Sequence, residues 1–396
     1  MTGIDILEEG SRVAGRGIFS TFARVTFPVV GPAILSAFVL AVIGGINNFD
    51  YTFVIGLPAG LHFLATEVYY YTNMRAIPAY GSAGYVSILY VIITFIAVGI
   101  YIWSTRRAFK FQVVTGKSSG TNLQRLGSWR YVGAFFCLMV LFFEFFMPFL
   151  TLFLISSTNI FLTSLTTFQL AFPTYFVKAL QIPGLAQSVQ VTLTFAVIAG
   201  LLATGAGAVL SFATLRSRSR GARLTEYVSA IPLAFPGVVY GVALFWTFLI
   251  VPGFNLIYGT IWPLVFALVF LRLPFSTRII SGNLVQIAPE LEDASQVAGA
   301  RFRRTFTRVS LPLIKEGILI GFIYTFVASL RELGGVVLLV TSQTVTFTAL
   351  ILSYWSAPKV QFGTVAAATV IFSLFIALVL VVASVVRYFV EPKKTR

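Results

Sequence analysis

The chain has 396 residues, of which 58% are hydrophobic and 10% are charged, and its mean hydropathy is +0.91. Soluble domains carry about 25% charged residues, so this composition excludes a soluble globular protein. The apolar residues cluster in runs of about 20, the length of a helix that crosses a bilayer. The composition predicts an all-α, polytopic membrane protein, and the net charge of +15 is not taken as a sign of nucleic-acid binding.

About eight membrane-spanning helices are predicted. They cover residues 29–49, 84–104, 131–155, 187–213, 226–250, 259–277, 314–340 and 362–386. The arginines and lysines concentrate in alternate loops, and such loops are cytoplasmic in bacterial membrane proteins. Both termini are therefore predicted in the cytoplasm. The external loops are then predicted at 50–83, 156–186, 251–258 and 341–361.

An internal repeat is the most informative feature of the sequence. Residues near the N-terminus recur 284 positions later, and the matches include charged residues, glycine and proline as well as apolar residues. The matched pairs include Glu8/Glu292, Ser11/Ser295, Val13/Val297, Gly15/Gly299, Thr21/Thr305, Arg24/Arg308 and Pro28/Pro312. A repeat of this kind indicates a duplicated unit.

Each copy of the repeat falls in a predicted cytoplasmic loop that leads into an outward-going span. In the second copy, Pro289 suits the start of a helix, and the acidic residues after it are favoured by the helix dipole. Gly299 would end that helix in the left-handed conformation. A second short helix is then predicted, and Pro312 would open the next span. Such a rigid element is suited to passing motion to a docked partner.

The spacing of this loop resembles the EAA loop of binding-protein-dependent ABC importer permeases. The resemblance rests on residues 293–295 (Asp-Ala-Ser), Gly299 and residues 309–312 (Val-Ser-Leu-Pro). The first copy has the same spacing, with residues 9–11 (Glu-Gly-Ser) and 25–28 (Val-Thr-Phe-Pro). The resemblance implies a type I importer permease (MetI-like) architecture.

The segments that flank the second loop are similar to the ferric-iron branch of this family, in which two permease units are fused in one chain. They are residues 272–275 (Arg-Leu-Pro-Phe) and 329–334 (Ser-Leu-Arg-Glu-Leu-Gly). The resemblance implies that an ATPase dimer binds the cytoplasmic face and an external binding protein delivers the solute. The residues implied in ATPase coupling are Glu8, Glu9, Ser11, Gly15, Pro28, Glu292, Asp293, Ala294, Ser295, Gly299, Arg308 and Pro312.

No enzymatic activity is predicted for the chain itself. The sequence contains no Gly-x-x-x-x-Gly-Lys-Ser/Thr loop for ATP phosphates, so ATP hydrolysis is expected on a separate subunit. With one cysteine, Cys137, and one histidine, His62, it offers no Cys/His metal cluster. No cofactor and no metal are therefore predicted.

The repeat also predicts the domain organisation. Residues 1–115 form the C-terminal part of a first permease unit, 116–128 a Gly/Ser-rich cytoplasmic linker, and 129–396 a complete second unit with six spans and its EAA loop at 290–312. The first unit lacks the four spans that precede the loop in the second. A mis-assigned start, a truncated gene and a separately encoded half are three explanations that stay open.

Polar residues within or next to spans are candidates for the translocation pathway. They are Asn47, Asn48, Asp50, Glu144, Arg331 and Glu332. For Arg331 and Glu332, a salt-bridged pair that stabilises the fold is the alternative. For Glu144, the alternatives are a position facing the bundle interior and a protonated carboxyl bonded to a neighbouring helix. Arg272 is expected to extend to the membrane interface.

The predicted function is an ABC importer permease in the bacterial cytoplasmic (inner) membrane, with ferric iron as the preferred solute. Relatives with similar loops carry thiamine, polyamines, sulfate-like anions or phosphonates. From other classes, an ion-coupled secondary transporter would need polar ion sites at the bilayer midplane, and a polytopic membrane enzyme would need a nucleophile or metal motif. The chain is poor in such midplane polar groups, a docking loop would have no use in a secondary transporter, and no metal motif or nucleophile with a plausible base is found.

Overall fold

The computed structural model describes residues 8, 10–11, 13–110, 127–158, 172–216, 221–357 and 360–390. In these ranges every regular element is a helix, which confirms the all-α prediction. The chain divides into two compact units, Met1–Glu144 and Phe145–Arg396. Most of the predicted linker, 116–126, lies outside the described residues, so the predicted domain boundaries stay a prediction.

In the described part of the first unit, four α-helices are at least six residues long. They are α1 (Phe27–Ile46), α2 (Leu64–Tyr69), α3 (Tyr80–Lys110) and α4 (Trp129–Leu141). The α-helices of at least six residues in the described part of the second unit are α5 (Met147–Ser157), α6 (Thr174–Leu180), α7 (Leu185–Arg216), α8 (Gly221–Ala230), α9 (Gly237–Ile250), α10 (Trp262–Leu284), α11 (Glu290–Val297), α12 (Leu311–Leu330), α13 (Phe347–Trp355) and α14 (Phe362–Val390).

Within the described residues, six helices are long and apolar enough to cross a membrane. They are Tyr80–Tyr101, Trp129–Ser157, Leu185–Arg216, Trp262–Leu284, Phe306–Leu330 and Phe362–Val385. A bent pair, Val228–Ala234 with Gly237–Ile250, makes a seventh if it counts as one span, and a shorter apolar helix, Ala37–Ile46, lies in the first predicted span. The chain is therefore a multi-pass membrane protein.

The span predicted at 226–250 is not one continuous helix. The two helices of this region meet at an angle of 105°. Phe235 at the bend is extended, with φ −101° and ψ 116°, because the ring of Pro236 disfavours the helical conformation of the residue before it. A short 3₁₀ turn, Ile231–Ala234, precedes the bend.

The span predicted at 314–340 also differs from the structure. Its helix, α12, ends at Leu330, and residues 331–346 form turns without a regular helix before α13 begins inside the predicted external loop. Gly334 and Gly335 follow within a turn of that end. Non-helical backbone at membrane depth is tolerated where it is buried in protein, and Leu333, Val336 and Leu339 of this segment are buried.

Small residues allow close packing of α7, α10 and α12, which form the centre of the second unit. A Cβ atom added to Gly207 of α7 would lie 2.8 Å from the Ser276 side chain of α10. One added to Gly317 of α12 would lie 2.8 Å from Asn283. Close helix contacts at glycine are typical of membrane helix bundles. These three helices carry the elements of the candidate site.

In the first unit, α1 packs on α3. The hydroxyl of Tyr90 donates to the carbonyl oxygen of Ile46 at 2.6 Å, which satisfies a backbone acceptor at the end of α1. Phe49, Phe53 and Tyr69 pack together beyond that end, with ring centroids 5.3–5.4 Å apart. The predicted external loop 50–83 is therefore structured.

Candidate functional site

The second copy of the repeat, residues 290–312, is called the second loop. It begins with α11, whose first turn carries Glu290, Glu292 and Asp293. The helix ends at Val297, and Gly299, two residues later, has φ +85°, a conformation that glycine adopts without steric cost. The N–H of Ala300 donates to the carbonyl of Ser295 at 3.1 Å. The predicted helix and its glycine stop are therefore present.

The predicted second short helix is not a separate element. The helical segments Phe302–Thr305, Phe306–Ser310 and Leu311–Leu330 follow one another without a break, and the middle one is π-helical. Pro312 lacks an N–H and its ring would clash with the carbonyl four residues earlier in an α-helix. In the π-helical turn, the N–H of Leu311 instead donates to the carbonyl of Phe306.

Glu292 faces inward and holds the second loop against the helix bundle. Its Oε1 accepts hydrogen bonds from Arg216 Nε at 3.2 Å and from Ser310 Oγ at 3.0 Å. Arg216, the last residue of α7, also donates to the carbonyl oxygens of Leu284, the last residue of α10, and of Ile287 just beyond it. Glu292 thus joins α11 to α7 and to the turn before α12, and its partner Arg216 extends the connection to α10.

A second contact closes the turn of the loop. The hydroxyls of Ser295 and Thr305 are 3.0 Å apart, within hydrogen-bond distance. The sequence prediction included Ser295 but gave no role to Thr305. The identity of Thr21 and Thr305 at the repeat interval was the signal that pointed to it.

The first copy, residues 8–28, is called the first loop, and it repeats these contacts. The hydroxyls of Ser11 and Thr21 are 3.1 Å apart. Thr26 Oγ1 donates to Glu8 Oε1 at 2.6 Å, the place that Ser310 and Glu292 take in the second loop. Gly15 has φ +80°. Glu9, another predicted coupling residue, lies outside the described residues.

The π-helical turn is duplicated as well. It covers Phe22–Thr26 in the first loop and Phe306–Ser310 in the second, again at the repeat interval. Pro28 follows the first turn as Pro312 follows the second. Since hydrogen bonds, backbone turn and positive φ all recur, the repeat in the sequence is also a repeat in structure.

The two loops differ in the charge that meets their inward glutamate. Glu292 pairs with Arg216, and the side chains are 8% and 12% exposed. Glu8 makes no ion pair within 4.0 Å with the part of the chain that the structure describes. Arg216 was missed by sequence reasoning because it lies 76 residues from Glu292 and only helix packing brings them together.

Glu332, a predicted pathway residue, lies just after α12 and holds the non-helical segment 331–346. Its Oε2 accepts from Arg272 Nη2, and its Oε1 accepts the N–H of Gly335 at 2.9 Å. Arg272 also donates to the carbonyl of Ala328 at 3.0 Å. Arg272 therefore does not extend to the interface as predicted, because the freed carbonyls at the end of α12 and the Glu332 carboxylate hold it inside.

Arg331 is exposed, and the ion-pair partner of Glu332 is Arg272 rather than Arg331. In the first unit, the neutral side chain of Asn48 takes the place of the Glu332 carboxylate after the helix end. Asn48 Oδ1 accepts the N–H of Tyr51 at 3.0 Å, at the interval that relates Glu332 to Gly335. Asn48 and Glu332 correspond at the repeat interval of 284 residues, and their side chains cap the two helix ends in the same way.

The remaining pathway candidates are not brought together by the structure. Asn47 caps α1, and its Oδ1 is buried without a hydrogen-bond partner among the described residues. Asp50 is exposed. Glu144 lies in the π-helical segment Phe142–Phe146, and its side chain is exposed. The role of Glu144 therefore stays a prediction.

Comparison with known proteins shows a family whose profile includes the second loop. The profile described as "Binding-protein-dependent transport system inner membrane component" matches residues 196–396, half of the chain, and this match includes the second loop and Glu332. The chain belongs to this family. The contacts of the second loop in this permease lie within the matched residues.

Individual relatives agree with the family but differ in solute. The permease is 25% identical over 356 residues to the "Ferric transport system permease protein FbpB" of Actinobacillus pleuropneumoniae, covering 88% of this chain and 50% of that protein. It is 31% identical over 159 residues to the "Probable sulfate transport system permease protein cysT" of Helicosporidium sp. subsp. Simulium jonesii, covering 37% and 57%. The chain spans about half the length of the curated ferric relatives it matches.

A solved structure shares the fold. The permease matches a chain of the bacterial alginate ABC transporter, crystallised with an alginate pentasaccharide-bound periplasmic protein, with a TM-score of 0.51 and 17% identity. The match covers 64% of this chain and 92% of that chain. The predicted importer-permease architecture is therefore confirmed.

Proposed function

We propose that the permease is the membrane-spanning subunit of an ATP-driven importer and that both loops bind a separate ATPase subunit. The observation that supports this most directly is one exposed valine in each loop. Val13 is 89% and Val297 is 90% exposed, although valine is among the residues most often buried. The two valines are related by the repeat interval.

An isolated exposed valine on one loop would need no explanation. Here the same side chain is exposed at the same place in two copies that also share their internal hydrogen bonds. In the second loop, Val297 ends α11, and Asp293 and Ala294 of the same helix are exposed beside Leu291, which is 51% exposed. A small apolar patch with an acidic edge is suited to a cleft on a partner protein.

The inward side of the second loop would carry motion into the membrane. Glu292 is fixed to Arg216 at the end of α7 and to Ser310 at the start of the α12 helix. A displacement of α11 would therefore act on these helices together rather than bend a free loop. This supports a role for Glu292 in positioning the loop, while Asp293, Ala294 and Val297 would contact the ATPase.

We assign residues 331–346 to the wall of the translocation pathway. This segment is the non-helical stretch that follows the helix moved by the second loop. The Thr348 hydroxyl donates to the carbonyl of Glu332 at 2.9 Å, and Thr192 Oγ1 accepts the N–H of Phe347 at 2.8 Å. Both ends of the segment are thus hydrogen-bonded to helices. Movement of these helices would therefore also move the segment.

Substitution of the exposed valines tests the docking proposal. The Val13→Asp, Val297→Asp double variant should lose co-purification with the ATPase subunit of the same system, with affinity lowered at least about tenfold, as for loss of an interface anchor. Leu256→Asp is the matched control, since Leu256 is 82% exposed in a different loop. If the double variant retained the ATPase as well as the control does, the loops would not be the docking sites.

Ferric iron is the solute we propose first, because the ferric relatives match most of this chain. Sulfate is the second candidate, since sulfate permeases match part of it. Uptake of radiolabelled iron and of radiolabelled sulfate by cells that express the complete system would separate them. ATP-dependent uptake of sulfate but not of iron would reverse this order.

A further inference from the structure

A basic cleft lies beside the glycine turn of the second loop. It has a volume of about 490 Å³ and is lined by Gly299, Arg301, Arg304, Thr307 and Arg308. The three arginine side chains are exposed. None of them makes an ion pair within 4.0 Å with a residue that the structure describes. The cleft therefore concentrates positive charge that the described part of the protein leaves uncompensated.

The first loop provides a comparison within the same chain. At the repeat interval, Arg308 corresponds to Arg24, but Arg301 corresponds to Gly17 and Arg304 to Ser20. The first loop nevertheless keeps the serine–threonine contact, the glutamate contact, the positive φ and the π-helical turn. Arg301 and Arg304 are thus not needed to fold the loop or to begin the span.

The cleft lies at the level where a span begins. The apolar helix that qualifies as a span starts at Phe306, so Arg304 and Arg308 flank its first turn. Arginine side chains in this position reach the headgroup layer, and the planar guanidinium binds phosphate through two parallel hydrogen bonds. Basic pockets beside membrane helices bind anionic lipid headgroups.

We propose that this cleft binds the phosphate of an anionic phospholipid headgroup, and that the first loop has no such site. The lipid phosphate would contact Arg301, Arg304 and Arg308 together. The two loops would then differ in function: both bind the ATPase, and only the second is also held to the lipid. The lipid site is independent of the proposal that the loops bind an ATPase.

Lipid retention by the purified full chain tests this site. Native mass spectrometry would count phosphatidylglycerol molecules retained from mixed phosphatidylglycerol–phosphatidylcholine vesicles. Arg301→Gln with Arg304→Gln should lower the affinity for one phosphatidylglycerol about ten- to thirtyfold. Gly17→Arg with Ser20→Arg should create a second site of this kind in the first loop. Arg301→Lys with Arg304→Lys should give an intermediate loss, because charge remains but the paired hydrogen bonds do not.

The control removes the same charge elsewhere, with Arg75→Gln and Arg130→Gln, both exposed arginines. An equal loss of lipid in this control would overturn the proposal, since net charge alone would explain it. Unchanged lipid affinity in the Arg301/Arg304 variant would also overturn it. This holds as well if that variant loses binding of the ATPase, since the arginines would then contact the ATPase and not the lipid. Complete displacement of the lipid by inorganic phosphate would show a soluble-anion site rather than a lipid site. Thermal unfolding of each variant confirms that the chain is folded.

Discussion

Glu292 and Glu8 are matched residues in different electrostatic surroundings, and this difference predicts different costs of neutralisation. Glu292→Gln would leave Arg216 Nε beside a neutral amide in a site where both side chains are largely buried. Charged hydrogen bonds of this type contribute about 1.5–3 kcal/mol. Among the residues that the structure describes, the Glu8 carboxylate bonds to the neutral Thr26 hydroxyl and makes no ion pair, so Glu8→Gln removes less. We expect the Glu292 variant to lower the thermal unfolding midpoint in detergent clearly more than the Glu8 variant.

The pair Glu292–Arg216 is also open to a double-mutant cycle. If the two residues interact directly, the double variant should be destabilised by less than the sum of the two single variants, although Arg216→Gln also removes the hydrogen bonds to the carbonyls of Leu284 and Ile287. Additive effects of the two substitutions, or equal effects of the Glu8 and Glu292 variants, would contradict the role of Arg216 as the partner that fixes the second loop.

At the level of single residues, the repeat predicted the right positions but not their roles. It identified Ser11, Ser295, Gly15 and Gly299, which the structure places in the turn. It did not separate the inward Glu292 from the outward Asp293, since neighbours in a helix face different sides only once the packing of that helix is known. The partners of Arg216 and Arg272 were not predicted either, because they are distant in sequence.

At the level of elements, α9 crosses the non-helical segment at glycine. A Cβ atom at Gly241 would lie 3.2 Å from the carbonyl oxygen of Gly335, and one at Gly237 would lie 3.2 Å from its nitrogen. The obstacle is backbone, which cannot move aside as a flexible side chain does. We expect Gly241→Ala to destabilise the protein by about 1–3 kcal/mol, the usual cost of overpacking, as a lowered thermal unfolding midpoint in detergent.

Gly205→Ala is the matched control, because Gly205 also lies within a long helix and a Cβ there meets nothing within 4 Å. Alanine is favoured over glycine in a helix by about 1 kcal/mol, so this variant should be neutral or more stable. A Gly241 variant as stable as the Gly205 variant would show that α9 and the 331–346 segment do not press on each other.

Hydropathy predicted where helices lie but not where they break. The apolar residues that continue past Leu330 extended the predicted span to residue 340, yet the chain leaves the helix at Arg331. The helix end depends on Glu332, whose side chain captures the N–H of Gly335 while Arg272 neutralises its charge. The sequence prediction included no bend before α9 although Pro232 and Pro236 are visible in the sequence, because the span at 226–250 was inferred from its apolar residues alone.

At the scale of the whole molecule, orientation depends on whether the bent pair at 228–250 crosses the bilayer. If it crosses, and the helix that contains Ala37–Ile46 is counted as the first span, the chain has eight spans. The second loop then lies on the side of the N-terminus, as the arginine distribution predicts. If it turns back, every later loop changes side. The second loop would then be external, where an ATPase cannot reach it.

Cysteine labelling decides between these two topologies. In a Cys137→Ser background, which removes the single cysteine, new cysteines are placed at the exposed residues Ala59, Asn255, Gln296 and Ser342. With eight spans, a membrane-impermeant maleimide should label the cysteines at 59, 255 and 342 in intact cells, and the one at 296 only after permeabilisation. Labelling at 59 and 296, with protection at 255 and 342, would mean that the bent pair turns back. Because the two topologies give opposite patterns at three positions, one poorly reactive cysteine does not obscure the result.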